Sequence, residues 1–295
     1  MTHGKVLILG ASGFIGRALA ARLGDAAVAT WNSREVPGWP RFDGTRDHVD
    51  SLPLQGVTNA IVLLGNTNPD SCARDRQSSD LINVEGVIRA CDGLGARGIH
   101  CLFASTEVVF DGLRGNYVET DPVAPMLVYG QQKLTVERHI AAHWPQAACF
   151  RLAKVYGARP GDGSLLDGWH RQAQQGGTIR CASDFISSVI HVDDVVDAFL
   201  AACSVRLSGL YHMGGPRPVS RLGMFQALQQ SFAAAGRPLA ARGEACSIDD
   251  FSTLEGRPKD VSMRSDRLSA ALDWHPVAIE EACALFVRRC QGGEA

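Results

Sequence analysis

The sequence holds no apolar run long enough to cross a membrane; stretches such as Val6 to Leu9 and Ala60 to Leu64 fall far short of the ~18 residues a spanning helix requires. Positive charge is not in surplus either. With 29 Lys and Arg against 31 Asp and Glu, the net charge is −2, and no basic run or stripe offers a grip on a nucleic-acid backbone. Cys-x-x-Cys pairs are missing although the chain has nine cysteines, and an odd, scattered set reads as reduced, mostly buried thiols rather than disulfides or a metal site. Internal repeats and low-complexity tracts are absent; only the tail from Gln291 to Ala295 reads as disordered. A strand-like run starts at Lys5, which leaves no room for a signal peptide, so the expected location is the cytoplasm. What remains is 295 residues, 45% hydrophobic and 20% charged, enough for a generous core and a second lobe.

The first stretch with chemical content is Lys5-Val6-Leu7-Ile8-Leu9, a β-rich run that passes directly into Gly10-Ala11-Ser12-Gly13-Phe14-Ile15-Gly16 and then a helical pattern from Arg17 to Leu23. Strand, glycine-rich turn and helix in that order present backbone N–H groups and a helix N-terminus to a pyrophosphate. Gly10, Ser12, Gly13, Phe14, Ile15 and Gly16 are therefore expected to bind a dinucleotide, through a Gly-x-x-Gly-x-x-Gly variant of the usual spacing. A second strand, about Ala26 to Trp31, ends in Asn32-Ser33-Arg34, with no acid before Glu35. An arginine here suits the 2′-phosphate of NADP, whereas NAD calls for a carboxylate. Asp43, in Phe42-Asp43-Gly44, has two readings: a contact to the adenine end of the cofactor, or a turn-capping aspartate.

The alternation continues with a strand from Asn59 to Leu64, the loop Gly65-Asn66-Thr67-Asn68-Pro69, a long helix ending near Leu94, and a strand from Ile99 to Ala104. Such an order implies an α/β fold of Rossmann type, a doubly wound parallel sheet whose ligands sit at the carboxyl ends of the strands. Leu64, Gly65 and Asn66 fall at one such end, and Asn83 inside the long helix reads as a buried polar clamp near the cofactor. The fourth strand runs into Ser105-Thr106-Glu107, and Val128-Tyr129-Gly130-Gln131-Gln132-Lys133 opens a helix that continues to about His143. Tyrosine and lysine four apart share a helix face, so the ammonium can lower the phenol's pKa while Thr106 holds a carbonyl beside it.

Taken together, these motifs resemble the extended short-chain dehydrogenase/reductases, and within them the dTDP-4-dehydrorhamnose reductase family. The resemblance rests on Gly10, Gly13 and Gly16, on Thr106, Tyr129 and Lys133, and on Asn83 in Ile-Asn-Val. Further matches are Glu137, Arg151-Leu152 leading to Val155-Tyr156-Gly157, Ile190-His191-Val192-Asp193-Asp194, and Arg257-Pro258 followed by Ser265-Asp266-Arg267-Leu268. Ser105-Thr106-Glu107-Val108-Val109-Phe110-Asp111-Gly112 is similar to the reductases' strand-four signature; a dehydratase would carry a second acid where Val108 stands. The resemblance implies reduction of a 4-keto sugar nucleotide by NADPH, with Tyr129 as proton donor, Lys133 on the nicotinamide ribose and Thr106 and Glu107 at the substrate. A sugar-nucleotide epimerase using NAD is the alternative within the family, and a non-catalytic NADP-binding regulatory subunit is the alternative outside it.

The chain departs from the reductase pattern at Gln132, where a serine is usual, and at Leu64-Gly65-Asn66, where two alanines are usual; both leave the sugar open. The dinucleotide-binding part is expected at 1–155 with 190–213 returning to it, and a smaller C-terminal substrate-binding lobe at 156–189 and 214–290. In that lobe Arg257, Arg180 and Lys259 are candidates to grip a diphosphate; Arg257 is the best of them, and for Arg180 and Lys259 a solvated surface charge is the stronger reading. His139 and His143 have the spacing of a helical zinc pair, but Ile140 stands where the catalytic Glu would be, so they read as surface histidines and no metal is expected. Apolar positions Val192, Val195, Val196 and Phe199 bury their helix, and Met224 to Phe232 is either core or a homodimer contact.

Overall fold

The computed structural model describes residues 4–292, so of the tail expected to be disordered, residues 293–295 lie outside the described residues. The first half of the chain forms β1 (Lys5–Leu9), α1 (Phe14–Leu23), β2 (Ala27–Ala29), β3 (Val57–Val62), α2 (Pro69–Arg74), α3 (Arg76–Asp80), α4 (Gly86–Gly95), β4 (His100–Thr106), α5 (Val128–His143) and β5 (Ala148–Leu152). There follow β6 (Val155–Tyr156), α6 (Leu165–Ala173), β7 (Thr178–Ala182), β8 (Ile186–Ser187), β9 (Ile190–His191), α7 (Val192–Val205), β10 (Gly209–Met213), β11 (Val219–Ser220), α8 (Arg221–Ala234), β12 (Arg242–Cys246), α9 (Asp266–Leu272) and α10 (Ile279–Cys290). They divide into two compact units, one of Met1–Phe110, Pro122–Leu152 and Val195–Tyr211, the other of Asp111–Asp121, Ala153–Asp194 and His212–Ala295.

The first unit is built on a six-stranded sheet in the order β10-β5-β4-β3-β1-β2. β1 runs parallel to β2 and β3, β3 to β4, and β4 to β5. Every residue of β4 and β5 is buried, as expected of parallel strands covered on both faces. Leu7, Leu9, Val62 and Phe103 of the strands pack with Val87, Leu94, Val136 and Ile140 of α4 and α5. Phe199 of α7 meets Phe150 of β5 edge-on, ring centres 5.2 Å apart. Chain order reverses at β1, whose neighbours β2 and β3 lie on opposite sides, and that switch point is where doubly wound sheets open a ligand crevice.

The single long helix expected before Leu94 is broken. Asn68 caps α2 by accepting from Ser71 N at 2.9 Å, and Asp75 stops that helix and caps α3 by accepting from Ser78 N at 3.0 Å. Leu81–Glu85 then forms a π turn before α4. The interruptions come from local side chains competing for backbone donors, and the π turn opens the helix by one residue.

In the second unit Met224, Phe225, Leu228 and Phe232 of α8 are buried with Leu166 and Trp169 of α6 and Phe286 of α10, so the apolar face of α8 is core. β7 pairs in parallel with β12, β6 with β9, and β8 antiparallel with β11. All nine cysteines are free thiols; seven are buried, and Cys246 and Cys290 are partly exposed.

Candidate active site

Two loops at the switch point approach each other closely. Gly10 follows β1 with φ +87°, and a side chain there would lie 3.1 Å from the Leu63 carbonyl that follows β3. At Gly16 a Cβ would stand 2.5 Å from Ala11 Cα, so only glycine lets α1 pack against its own entry turn. Gly13 precedes α1 in an extended conformation; no side chain caps the helix and no acid sits in its first turn. The N-terminal amides of α1 are thus left to an anion, which fits a dinucleotide pyrophosphate at Gly10, Ser12, Gly13, Phe14, Ile15 and Gly16.

Beyond β2, Ser33 and Arg34 are exposed, and the exposed Asn32 accepts from Arg41 Nη2 at 3.4 Å. Asp43 caps its own turn: its Oδ1 accepts from Thr45 N at 3.0 Å and Thr45 Oγ1 at 2.7 Å. The Thr45 hydroxyl is the chief reason its carboxyl is held below the ordinary range.

Leu64, Gly65 and Asn66 follow β3. Gly65 has φ +147°, and a methyl there would meet Asn83 Oδ1 at 3.0 Å and Lys133 Nζ at 3.7 Å. Asn83, fully buried in the π turn, accepts from Asn66 N at 2.7 Å and donates to Asn66 O at 3.0 Å and Gln132 Oε1 at 2.6 Å. It is buried rather than on the helix surface, and both ends of its amide grip protein groups.

The reacting side chains meet where α5 starts. Gly130 lets that helix press against the turn after β4, since a Cβ there would lie 2.3 Å from Val108 O. This contact brings the buried Tyr129 toward Thr106, whose hydroxyl eases ionisation of the phenol. Glu107, next along, is buried at the head of the same turn. Lys133 is buried, donates to Ala104 O at 2.8 Å, and stands 4.7 Å from the Phe103 ring centre and 5.9 Å from that of Tyr129.

The expected lowering of the phenol's pKa by Lys133 is not what this geometry gives. Burial drives Tyr129 well above its ordinary value, and the Thr106 hydroxyl only partly opposes that. The same burial pulls Lys133 from 10.5 down to about 8. Desolvation outweighs the pairwise attraction because the ammonium points at a carbonyl instead of the phenol oxygen.

Behind the site, Arg151 donates to Glu137 at 2.8 Å, both buried, and the Ser105 hydroxyl also donates to Glu137. In the second unit, Arg180 is exposed and paired with Asp250 at 3.0 Å, so its guanidinium is engaged with protein. Arg257 is half-buried and donates to Glu255 O at 3.3 Å. Lys259 is an exposed surface charge, as expected, and bridges Asp184 and Asp249 at 3.0 and 2.9 Å. His139 Nε2 donates to Asp92 at 2.7 Å and its ring stacks on His143 at 4.2 Å; among the described residues no group of His, Cys, Asp or Glu is placed to hold a metal. No described helix is long and apolar enough to cross a membrane. The residue that sequence reasoning passed over is Gln132, noticed only as a departure from pattern, which proves to be buried and bonded on all sides.

Fold and site are those of an NAD(P)-dependent oxidoreductase of the extended short-chain dehydrogenase/reductase class. Within that class, residues 4–291 match the RmlD substrate binding domain, and the chain belongs to that family. It is 30% identical over 236 residues to a dTDP-4-dehydrorhamnose reductase of Mycobacterium tuberculosis, covering 76% of this chain and 74% of the relative. Among solved structures, a hypothetical dTDP-4-dehydrorhamnose reductase from Sulfolobus tokodaii superposes with a TM-score of 0.81 at 24% identity, covering 94% of this chain and 98% of that one. The dTDP-4-dehydrorhamnose reductase of Bacillus anthracis in complex with NADP has a TM-score of 0.82 at 21% identity, covering 96% and 98%.

Proposed function

We propose that the chain reduces the keto group of a 4-keto sugar nucleotide with NADPH, in the manner of dTDP-4-dehydrorhamnose reductase. The observation that carries this reading is the meeting of three buried side chains, Thr106 at the end of β4 and Tyr129 and Lys133 on one face of α5, with the Lys133 ammonium 5.9 Å from the Tyr129 ring centre. When bound, the dihydronicotinamide supplies a hydride to the keto carbon. Thr106 holds the carbonyl oxygen, and Tyr129 gives its phenolic proton to that oxygen as negative charge develops on it. Lys133 offers its N–H groups to the ribose beside Gly65 and places positive charge near the phenolate left behind. Arg257 is the candidate contact for the substrate diphosphate, in the second unit as the substrate lobe.

Burial favours the protonated phenol, which supports Tyr129 in the role of proton donor. The exposed Arg34, with no acid between the end of β2 and itself, supports NADPH over NADH.

The decisive experiment offers NADPH and NADH in turn with dTDP-, UDP- and GDP-linked 4-keto-6-deoxysugars and follows loss of the reduced nicotinamide. Stoichiometric oxidation with formation of the 4-hydroxy sugar is expected with at least one of them. Binding of NADPH with no consumption across the panel would sink the reductase reading in favour of a regulatory subunit, and epimer formation with no net consumption would indicate an epimerase.

A further inference from the structure

Gln132 is 2% exposed and adjacent in sequence to Lys133. Its Oε1 accepts from Asn83 Nδ2 at 2.6 Å, and its Nε2 donates to Ser79 Oγ at 2.7 Å and Asp80 Oδ1 at 2.8 Å. One carboxamide therefore ties α5, which carries the proton donor, to α3 and the π turn. Asn83 extends the tie by holding Asn66 through both backbone polar groups, and a methyl at Gly65 would touch both Asn83 Oδ1 and Lys133 Nζ. The links close a ring from Lys133 to Gln132, Asn83, the Gly65–Asn66 loop and back. The two places where this chain departs from the reductase pattern, Gln132 and Asn66, are thus joined through a single asparagine. A serine at position 132 could not make this span, because its hydroxyl sits on Cβ while the glutamine amide lies two carbons further out.

We propose that Gln132 is a positioning residue for the reduction: through Asn83 it fixes the Gly65–Asn66 loop against Lys133, so that loop and ammonium receive the same cofactor. The inference rests on the reductase reading for its catalytic consequence, and on the hydrogen bonds alone for its structural one. A buried amide with both ends paired is costly to disconnect, since its partners are left without water to replace it. Asp80 can turn to solvent, its side chain being 39% exposed, but Asn83 is wholly buried and would keep for its amide nitrogen only Asn66 O and the weak acceptor Cys72 Sγ. The disturbance therefore passes to Asn83 and on to Asn66.

Two variants test this. Gln132→Leu keeps the bulk and removes all three bonds; Asn66 amide hydrogen exchange and the KM for NADPH are each expected to rise about tenfold, the scale of one lost buried hydrogen bond, with a smaller fall in kcat. Gln132→Glu keeps the acceptor for Asn83 and sets a carboxyl against Asp80, which Arg76 also faces at 3.7 Å. Its NADPH KM is expected near wild type in acid, where the two carboxyls share a proton, and to climb toward neutral pH. Unchanged Asn66 exchange and NADPH KM in Gln132→Leu, with only a lower Tm, would make Gln132 a purely structural residue and overturn the inference. If Gln132→Leu does not fold, a Gln132→Glu profile no different from wild type overturns it instead. A wild-type protein that consumes no NADPH counts against the reductase reading alone, because Asn66 exchange still decides the role of Gln132.

Discussion

The Lys133 ammonium donates to the Ala104 carbonyl at 2.8 Å and stands 5.9 Å from the centre of the Tyr129 ring. The lysine is thus held by strand β4 and lies over the phenol ring. Proton donation is left to Tyr129, whose buried hydroxyl stays protonated at neutral pH, and the lysine's charge is poised for whatever binds beside Gly65.

Tyr129→Phe removes the proton donor and leaves the glycine turn untouched. Turnover is expected to fall by about 10²–10⁴-fold while the NADPH dissociation constant changes little, read by steady-state kinetics alongside fluorescence titration. Comparable losses in both measurements would mean that the phenol serves binding.

Lys133 is buried and depressed from 10.5 to about 8. Between those values the unfolded chain binds more protons than the folded one, so stability rises with pH through that window, and below it the buried charge costs stability in full. Lys133→Met is therefore expected to raise stability at neutral pH, by an amount of order 1–3 kcal/mol, while abolishing reduction. Melting curves across the window check the sign: the wild type should gain on the variant as pH rises from about 8 toward 10.5.

Glu137 and Arg151 are buried and bonded at 2.8 Å. Glu137→Ala strands a guanidinium in the core and is expected to cost about 3–5 kcal/mol in denaturant unfolding. The paired replacement Glu137→Met with Arg151→Met should recover most of that loss; no recovery would show that the charges matter beyond each other.

Arg34 is exposed with no acid before Glu35. Arg34→Ala is expected to raise the KM for NADPH roughly tenfold, the scale of a lost charge-assisted phosphate contact, and to leave that for NADH near its starting value. An equal effect on both coenzymes would remove Arg34 from the 2′-phosphate.

Arg257 and Arg180 should separate cleanly. Arg257→Ala is expected to raise the KM for the nucleotide sugar about tenfold, on the same reasoning. Arg180→Ala, whose guanidinium already belongs to Asp250, should leave that KM within about twofold, as exposed ion pairs contribute little.

The sheet was legible because its signals are local. β5 spans the expected Ala148–Leu152, β1 the expected Lys5–Leu9, and α5 the expected Val128–His143, each marked by apolar periodicity or by its glycine neighbours. Boundaries moved where the chain turns: α1 starts at Phe14 rather than Arg17, and β2 shrinks to Ala27–Ala29. The electrostatics of Tyr129 could not be read, because spacing places two side chains on one helix face but says nothing of how dry that face is. Gln132 was opaque for another reason. Its partners lie about fifty positions away, in a helix whose breaks depend on Asn68 and Asp75, and no periodic pattern carries that information.

The π turn at Leu81–Glu85 makes the length of the chain between Asp75 and Gly86 as consequential as its composition. Removing one residue there would restore an ordinary helix and swing Asn83 by about 100° around the helix axis, away from both Asn66 and Gln132. Side-chain chemistry would be unchanged, yet the asparagine would face another part of the molecule. Comparisons of this segment among relatives should therefore count residues before comparing identities, since a single gap decides whether an asparagine at this place belongs to the site.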